Sequence, residues 1–242
     1  MKNAIFTIHI KRPDIPYELS VAYDLSLRLK KAYAQKCGAE LIVADKKIYN
    51  WTLWESPERL RMYELFETYD RILYLDADVL IKPDAINIFE LPEGNFYALN
   101  EICNTGQYKS LDREYMQSTF HYIKSRHKEW DNITHYLNMG VILADKKHRE
   151  IFQYRKEDYF ETIHMEQDYL NYNLWNYLIH NPGEKLLYLP IEWNGMILLV
   201  KEPDYLSRCN FIHYIGVESR GGRAKCMIQD YQEMIKRGWI KE

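Results

Sequence analysis

Two aspartates one residue apart, Asp76 and Asp78, close the apolar run Ile72-Leu-Tyr-Leu75 and are followed by Val79-Leu-Ile81. A run of that length and composition reads as a strand buried on both faces, as in a mostly parallel sheet. If the backbone stays extended through the pair, both carboxylates leave on the same side, because side chains alternate with a period of two. Two like charges that close raise each other's proton affinity unless a cation lies between them. Hard oxygen ligands favour magnesium or manganese, usually with substrate phosphates completing the shell. Open α/β sheets bind ligands just beyond the carboxyl ends of their strands, which is where the pair falls. An Asp-x-Asp triplet alone is a weak motif. This one interrupts a stretch that otherwise reads as core, where a charge must be paired or coordinated.

The elements that must position the pair can be taken in chain order. Ala4 to Ile10 reads as a strand, Pro13 and Pro16 break the backbone, and a helix runs from Tyr17 to Cys37. Its buried face is expected at Ala22, Leu25, Leu29, Ala32 and Tyr33, with Gly38 as the left-handed stop. Ala39 to Ala44 is the next strand, so the chain opens a parallel α/β unit, with Thr7, His9 and Tyr17 as candidate ligand contacts at its carboxyl edge. Ser56-Pro57 reads as a capped helix start, with Met62, Leu65, Phe66 and Tyr69 on the buried face. That helix feeds the Asp76 strand, so its first turn lies near the same edge, and Arg59 there suits a phosphate or carboxylate. After Pro83 a short helix carries Ile86, Ile88 and Phe89, followed by a strand over Asn95 to Leu99. From Glu101 to His135 periodicity degrades, as in a lid or a segment that recognises a variable substrate.

A second buried strand spans Tyr136 to Ala144, and Gly140 within it implies close approach of a neighbour or ligand. Glu166-Gln167-Asp168 opens a helix bearing Leu170, Leu174, Tyr177 and Leu178; acidic residues there also suit the helix dipole. A strand over Leu186 to Leu189, a turn over Pro190 to Asn194 and a short strand over Asn210 to Gly216 with His213 follow. Arg220, Arg223 and Lys225 lie in a Gly-rich loop just after it, a cluster able to neutralise a diphosphate.

The 242 residues suffice for one large α/β domain, and no linker, repeat or low-complexity tract divides them. A formal net charge of −3 gives no sign of a nucleic-acid partner. No leader-like start or membrane-span-length apolar run is seen, so a cytoplasmic protein is expected. Cys37, Cys103, Cys209 and Cys226 lack metal-like spacing and read as reduced thiols. The 21 tyrosines exceed ordinary usage, and their faces make good platforms for sugar rings.

Five blocks stand in order: Arg59-Leu60 leading into Tyr69-Asp-Arg-Ile-Leu-Tyr-Leu-Asp76-Ala77-Asp78; Leu137-Asn138-Met-Gly140-Val-Ile-Leu; Glu166-Gln167-Asp168-Tyr-Leu-Asn171; Trp193-Asn194; and Ile212-His213-Tyr-Ile-Gly216. With them the chain resembles the retaining glycosyltransferases of the GT-A nucleotide-sugar-binding fold, most of all family 8, the glycogenin and bacterial galactosyltransferase group. The resemblance implies a mostly parallel central sheet flanked by helices, with a donor-binding half over about 1–100 and an acceptor and catalytic half over about 101–242. It implies transfer of a sugar from a nucleoside-diphosphate sugar, UDP-sugar first, to a carbohydrate or other hydroxyl acceptor. Asp76, Asp78 and His213 would hold manganese or magnesium, which would stabilise charge on the departing nucleoside diphosphate. Arg59, Ala77, Asn138, Gly140 and Gly216 would lie near the donor, with Thr7 and Tyr17 flanking the base. Gln167 would sit beneath the anomeric carbon. Its amide is a poor nucleophile, so either a front-face mechanism applies or Glu166 or Asp168 does the covalent work.

The chain also departs from the family pattern. Glu166 stands where aspartate is common, and no acidic residue follows the first strand around His9 to Lys11. The lysine-proline-tryptophan that often follows the final His-x-x-Gly is absent, which would pass the grip on the diphosphate to Arg220, Arg223 or Lys225. A phosphohydrolase using Asp-x-Asp would need Thr or Val at Leu80, and a pyrophosphorylase would need a Gly-rich loop where Lys11-Arg12-Pro13 stands. A non-catalytic carbohydrate- or nucleotide-binding protein on the same fold is the remaining alternative.

Overall fold

The computed structural model describes residues 1–49, 55–101, 125, 136–159, 166–197, 204–215, 217 and 222–241. The irregular stretch from Glu101 to His135 lies outside them except for Glu101 and Ser125. Strand β1 (Asn3–Ile8), helix α1 (Tyr17–Cys37) and strand β2 (Glu40–Ala44) form the expected opening unit, with Gly38 at φ 63° ending the helix. A 3-10 turn (Ser56–Arg61) runs into the short helix α2 (Met62–Leu65) and then strand β3 (Arg71–Leu75). The start of that turn differs from expectation: Glu55, not Ser56, is the cap, and no side chain caps it. Strand β4 (Val79–Ile81) follows, then a single 3-10 turn (Ile88–Glu90) that leaves Ile86 exposed outside any helix, then strand β5 (Phe96–Asn100). Strand β6 (Leu137–Asp145), a 3-10 helix (Lys146–Phe152), helix α3 (Glu166–His180), strand β7 (Leu186–Tyr188), a 3-10 turn (Ile191–Trp193), strand β8 (Gly195–Met196), helix α4 (Tyr205–Arg208), strand β9 (Phe211–His213) and helix α5 (Arg223–Lys236) complete the described elements.

The main sheet has the order β2-β1-β3-β6-β5-β7, and within it only β6 runs against the rest. A smaller sheet, β4-β9-β8, stands beside it. The pleat divides the apolar residues of β1 and β3 between two cores. Ile5, Leu73 and Leu75 pack on the side of α1 and α5, and Ala4, Phe6, Ile72 and Tyr74 on the side of α2 and α3.

The buried stripe of α1 is rotated from the expected one. Leu25 is only half-buried and Ala32 is exposed, while Ser26 and Lys30 are buried. Both polar side chains donate to backbone carbonyls of the segment after β3, which offsets the cost of burying them.

His148, 1% exposed, joins the second core through edge-on contacts with Phe96 and Tyr177. Its Nδ1 accepts a hydrogen bond from the Asp145 N–H at 3.1 Å. Burial first, and then Lys147, pull the imidazole down to about 4 from its ordinary 6.5, against Glu184 and the Asp145 backbone. The folded state therefore favours the neutral ring, and this contribution is complete above pH 6.5 and is lost as pH falls toward 4. We expect wild type to lose about 2–3 kcal/mol more unfolding free energy than His148→Asn between pH 7 and pH 4.5 in urea titrations. Equal losses in the two proteins would contradict the assignment.

Candidate active site

Between Leu75 and Val79 the chain leaves the main sheet and enters the small one, so Asp76-Ala77-Asp78 bridges the seam. The backbone is not extended there: Val79 N–H donates to the Asp76 carbonyl at 3.2 Å, closing a turn. The two carboxylates thus converge through a turn rather than through strand alternation. Neighbouring elements hold the turn by its carbonyls. Thr7 Oγ1 donates to Leu75 O (2.7 Å), Lys30 Nζ to Asp76 O (2.6 Å), Ser26 Oγ to Val79 O (2.7 Å) and Tyr214 N–H to Asp78 O (3.1 Å).

Antiparallel pairing places His213 of β9 opposite Val79 of β4, and so beside Asp78. His213 Nε2 lies 3.4 Å from Asp78 Oδ1 and 3.8 Å from Asp76 Oδ2. One ligand atom from each of the three residues falls within 4.8 Å of the others. Cations with bonds of about 2.0–2.6 Å gather ligands at such separations. Two further observations fit a cation. His213 is 1% exposed, and its Nε2 has no hydrogen-bond partner. At Gly140 an added Cβ would lie 2.2 Å from His213 Cε1 and 2.7 Å from Asp76 Oδ2, so the space in front of these ligands requires glycine.

Gly140 owes its place to a bulge in β6. Ala98 pairs with Ile142 but Leu99 pairs with Asn138, so residues 139–141 are extra. The amides released from the β5 ladder take side-chain acceptors: Met139 N–H donates to Gln167 Oε1 (3.0 Å) and Gly140 N–H to Asn138 Oδ1 (3.0 Å). Gly140 O in turn accepts from Asp76 N–H at 2.8 Å.

Charge is dense around the turn. Arg59, 4% exposed, reaches Asp76 Oδ1 at 2.7 Å and Glu166 Oε1 at 2.6 Å, and stacks over the Tyr74 ring at 4.5 Å. Tyr74 O–H donates to the same Asp76 oxygen, leaving Oδ2 toward His213. Burial raises the Glu166 carboxyl despite Arg59. At Asp78 burial pushes the same way, yet Arg223, at 3.1 Å from Oδ2, is the largest of the opposing influences and the carboxyl is held well below the usual range. Lys30 is lowered to about 7 by desolvation, with Asp78 and Asp76 pulling in the opposite direction.

Residues 58–219, well over half of the chain, match the sequence profile of glycosyl transferase family 8. The chain belongs to this family. It is 24% identical over 202 residues to galactinol synthase 1 of Arabidopsis thaliana, covering 75% of this chain and 54% of that protein, so it spans about half the length of that relative. In fold it is similar to a glycosyltransferase involved in glycosylation of the major capsid of PBCV-1, with TM-score 0.60, 16% identity and coverage of 95% of this chain and 100% of the other. An active-site mutant of LgtC is also similar, with TM-score 0.52, 14% identity and coverage of 98% and 100%. The α/β architecture, with its largely parallel sheet flanked by helices, is that of the GT-A glycosyltransferases.

In this family 8 chain the residues singled out from sequence separate into groups. Asp76, Asp78, His213, Arg59, Gly140, Glu166 and Arg223 gather at the seam. Arg59 spans two carboxylates of the protein itself. Thr7, 1% exposed, also accepts from Lys30 Nζ at 3.1 Å, so its hydroxyl is engaged within the protein and not open to a nucleotide. Asn138 is likewise enclosed, at 1% exposed, with both ends of its amide bonded to protein groups. Asp168 is fully buried, and its Oδ1 accepts from Tyr136 O–H at 2.6 Å. Gln167 is half-buried, its Nε2 donating to Tyr136 Oη and its Oε1 serving the bulge. His9 pairs with Asp24 at 2.9 Å, Tyr17 is 79% exposed at the start of α1, and Lys225 is exposed on α5. Gly216 and Arg220 lie outside the described residues, and Ala77 sits within the turn.

Sequence reasoning did not single out Ser26, Lys30, Tyr74 or Glu101. The available signal was a serine and a lysine four residues apart on a largely apolar helix face. Gly140→Ala is expected to displace His213 or Asp76 and to weaken manganese binding at least about tenfold, with the far-ultraviolet circular dichroism of wild type retained. Isothermal titration of the variant with manganese chloride checks this; unchanged affinity would refute the reading of the cleared space.

Proposed function

We propose that this chain is a metal-dependent retaining glycosyltransferase that moves a sugar from a nucleoside-diphosphate sugar, UDP-sugar first, to a hydroxyl acceptor, a carbohydrate first. The observation that carries the reading is the convergence of Asp76, Asp78 and the unpartnered His213 Nε2 beyond the carboxyl edge of β3. Those three residues would hold manganese or magnesium. A cation bound there supplies Lewis-acid stabilisation of the charge that develops on the departing diphosphate.

The chain's own groups would do the remainder. Arg223 carries its charge at Asp78 and is available to a diphosphate at the same edge. Arg59 fixes Asp76 and Glu166 relative to each other, so the cation ligands and the start of α3 keep one geometry toward the sugar. Asp168 is enclosed, Glu166 is paired with Arg59, and both ends of the Gln167 amide are spent within the protein. With Asp168 fully buried and Glu166 ion-paired with Arg59, neither carboxylate is presented as an exposed nucleophile, which favours front-face departure and attack as the retaining route.

Asp78→Asn keeps the shape of the side chain and removes one anionic ligand. Metal-dependent release of nucleoside diphosphate, followed across a panel of nucleotide sugars with and without manganese, is expected to fall at least about a hundredfold. Chelator should abolish wild-type turnover and added manganese restore it. Full activity of the variant, or of wild type in chelator, would rule out the proposed metal role.

A further inference from the structure

Trp193 and Asn194 directly precede β8, and the asparagine is fully buried. Asn194 Oδ1 lies 2.9 Å from His213 Nδ1, and its Nδ2 donates to Asn138 Oδ1 at 2.9 Å. Asn138 Nδ2 in turn donates to Glu101 Oε1 at 2.8 Å. The direction of this chain is set from its far end by two groups with no choice of role. The Gly140 backbone N–H can only donate, so the Asn138 atom it meets at 3.0 Å must be the oxygen. The Glu101 carboxylate, when ionised, can only accept, so the other end of the Asn138 amide must be the nitrogen. Asn194 must then turn its own nitrogen to Asn138 and its oxygen to His213. An oxygen acceptor at Nδ1 requires the proton on Nδ1, so in the neutral ring the lone pair is on Nε2, facing Asp76 and Asp78.

We propose that Asn194 is a positioning residue of the metal site. Through the Asn138 relay to Glu101 it holds His213 as the Nδ1–H tautomer, with Nε2 presented as a ligand. This rests on the reading of Asp76, Asp78 and His213 as a cation site, and partners that orient a ligating histidine typically govern affinity 10–100-fold. The relay also assigns Asn138 to the support of the metal ligand.

The test uses the full chain labelled with nitrogen-15 at histidine, free of metal, at pH 8. Long-range proton–nitrogen correlation spectra should show His213 protonated on Nδ1 in wild type. In Asn194→Ala the Nε2–H tautomer should become populated, and calorimetric manganese affinity should fall about 10–100-fold. Asn194→Asp retains an acceptor toward Nδ1 but sets its second oxygen against Asn138 Oδ1, so it should keep the wild-type tautomer while lowering the thermal midpoint. A mainly structural asparagine would instead lower the thermal midpoint in both variants without moving the tautomer. An Nε2–H ring in wild type, or unchanged manganese affinity in a folded Asn194→Ala, would overturn the proposal. Failure of wild type to bind manganese would overturn the metal reading itself, and the tautomer spectrum still decides the relay, even if the alanine variant does not fold.

Discussion

Anionic groups held at the seam of two sheets would be strongly unfavourable without compensation, since each buried ion costs several kcal/mol to desolvate. The surroundings of the Asp76-Ala77-Asp78 turn follow from that constraint. Asp76 takes Arg59 and the Tyr74 hydroxyl on one oxygen, Asp78 takes Arg223 on one of its own, and Glu166 shares Arg59. Lys30 places an amine under the turn backbone. In each aspartate the second oxygen is directed to His213, so satisfying the charges and leaving open ligands come from one arrangement.

The same economy applies to the backbone. A turn between sheets and a bulge in β6 both take peptide groups out of regular ladders, and such groups must find partners. Ser26, Lys30 and Thr7 supply donors to the turn, while Gln167 and Asn138 supply acceptors to the bulge. Several polar residues clustered near a candidate site are thereby accounted for as its framework. Asp76, Asp78, His213 and Arg223 are the groups these contacts bring together at the seam.

Residues far apart in sequence contribute to the site because sheet register carries them there. His213 reaches Asp78 through its pairing opposite Val79, and β8 pairs in parallel with β9, placing Met196 opposite His213 and Asn194 just before the strand. Gly195 lets β8 lie close to β9 and to Cys209 ahead of it, since a Cβ there would lie 3.0 Å from the Phe211 carbonyl and 2.5 Å from Cys209 Sγ. Packing in the small sheet is therefore coupled to the geometry of the histidine.

By itself the sequence determined the opening strand-helix-strand unit, the buried strands β3 and β6, the helix after residue 166 and the acidic pair at a strand end. Each of these depends on a local period, a run of apolar residues or a glycine stop, and local periods survive folding. The family blocks also marked Asp76, Asp78, His213 and Arg59. Tertiary structure alone decided that the acidic pair lies in a turn and that Ser26 and Lys30 displace Leu25 and Ala32 from the buried stripe. It also decided that Thr7, Asn138 and Asp168 are engaged inside the protein. The physical reason is that a hydrogen bond to a backbone group of another element leaves no trace in hydrophobic periodicity. A polar side chain therefore reads the same from sequence whether it meets a ligand or a neighbouring carbonyl, until the strands are in register.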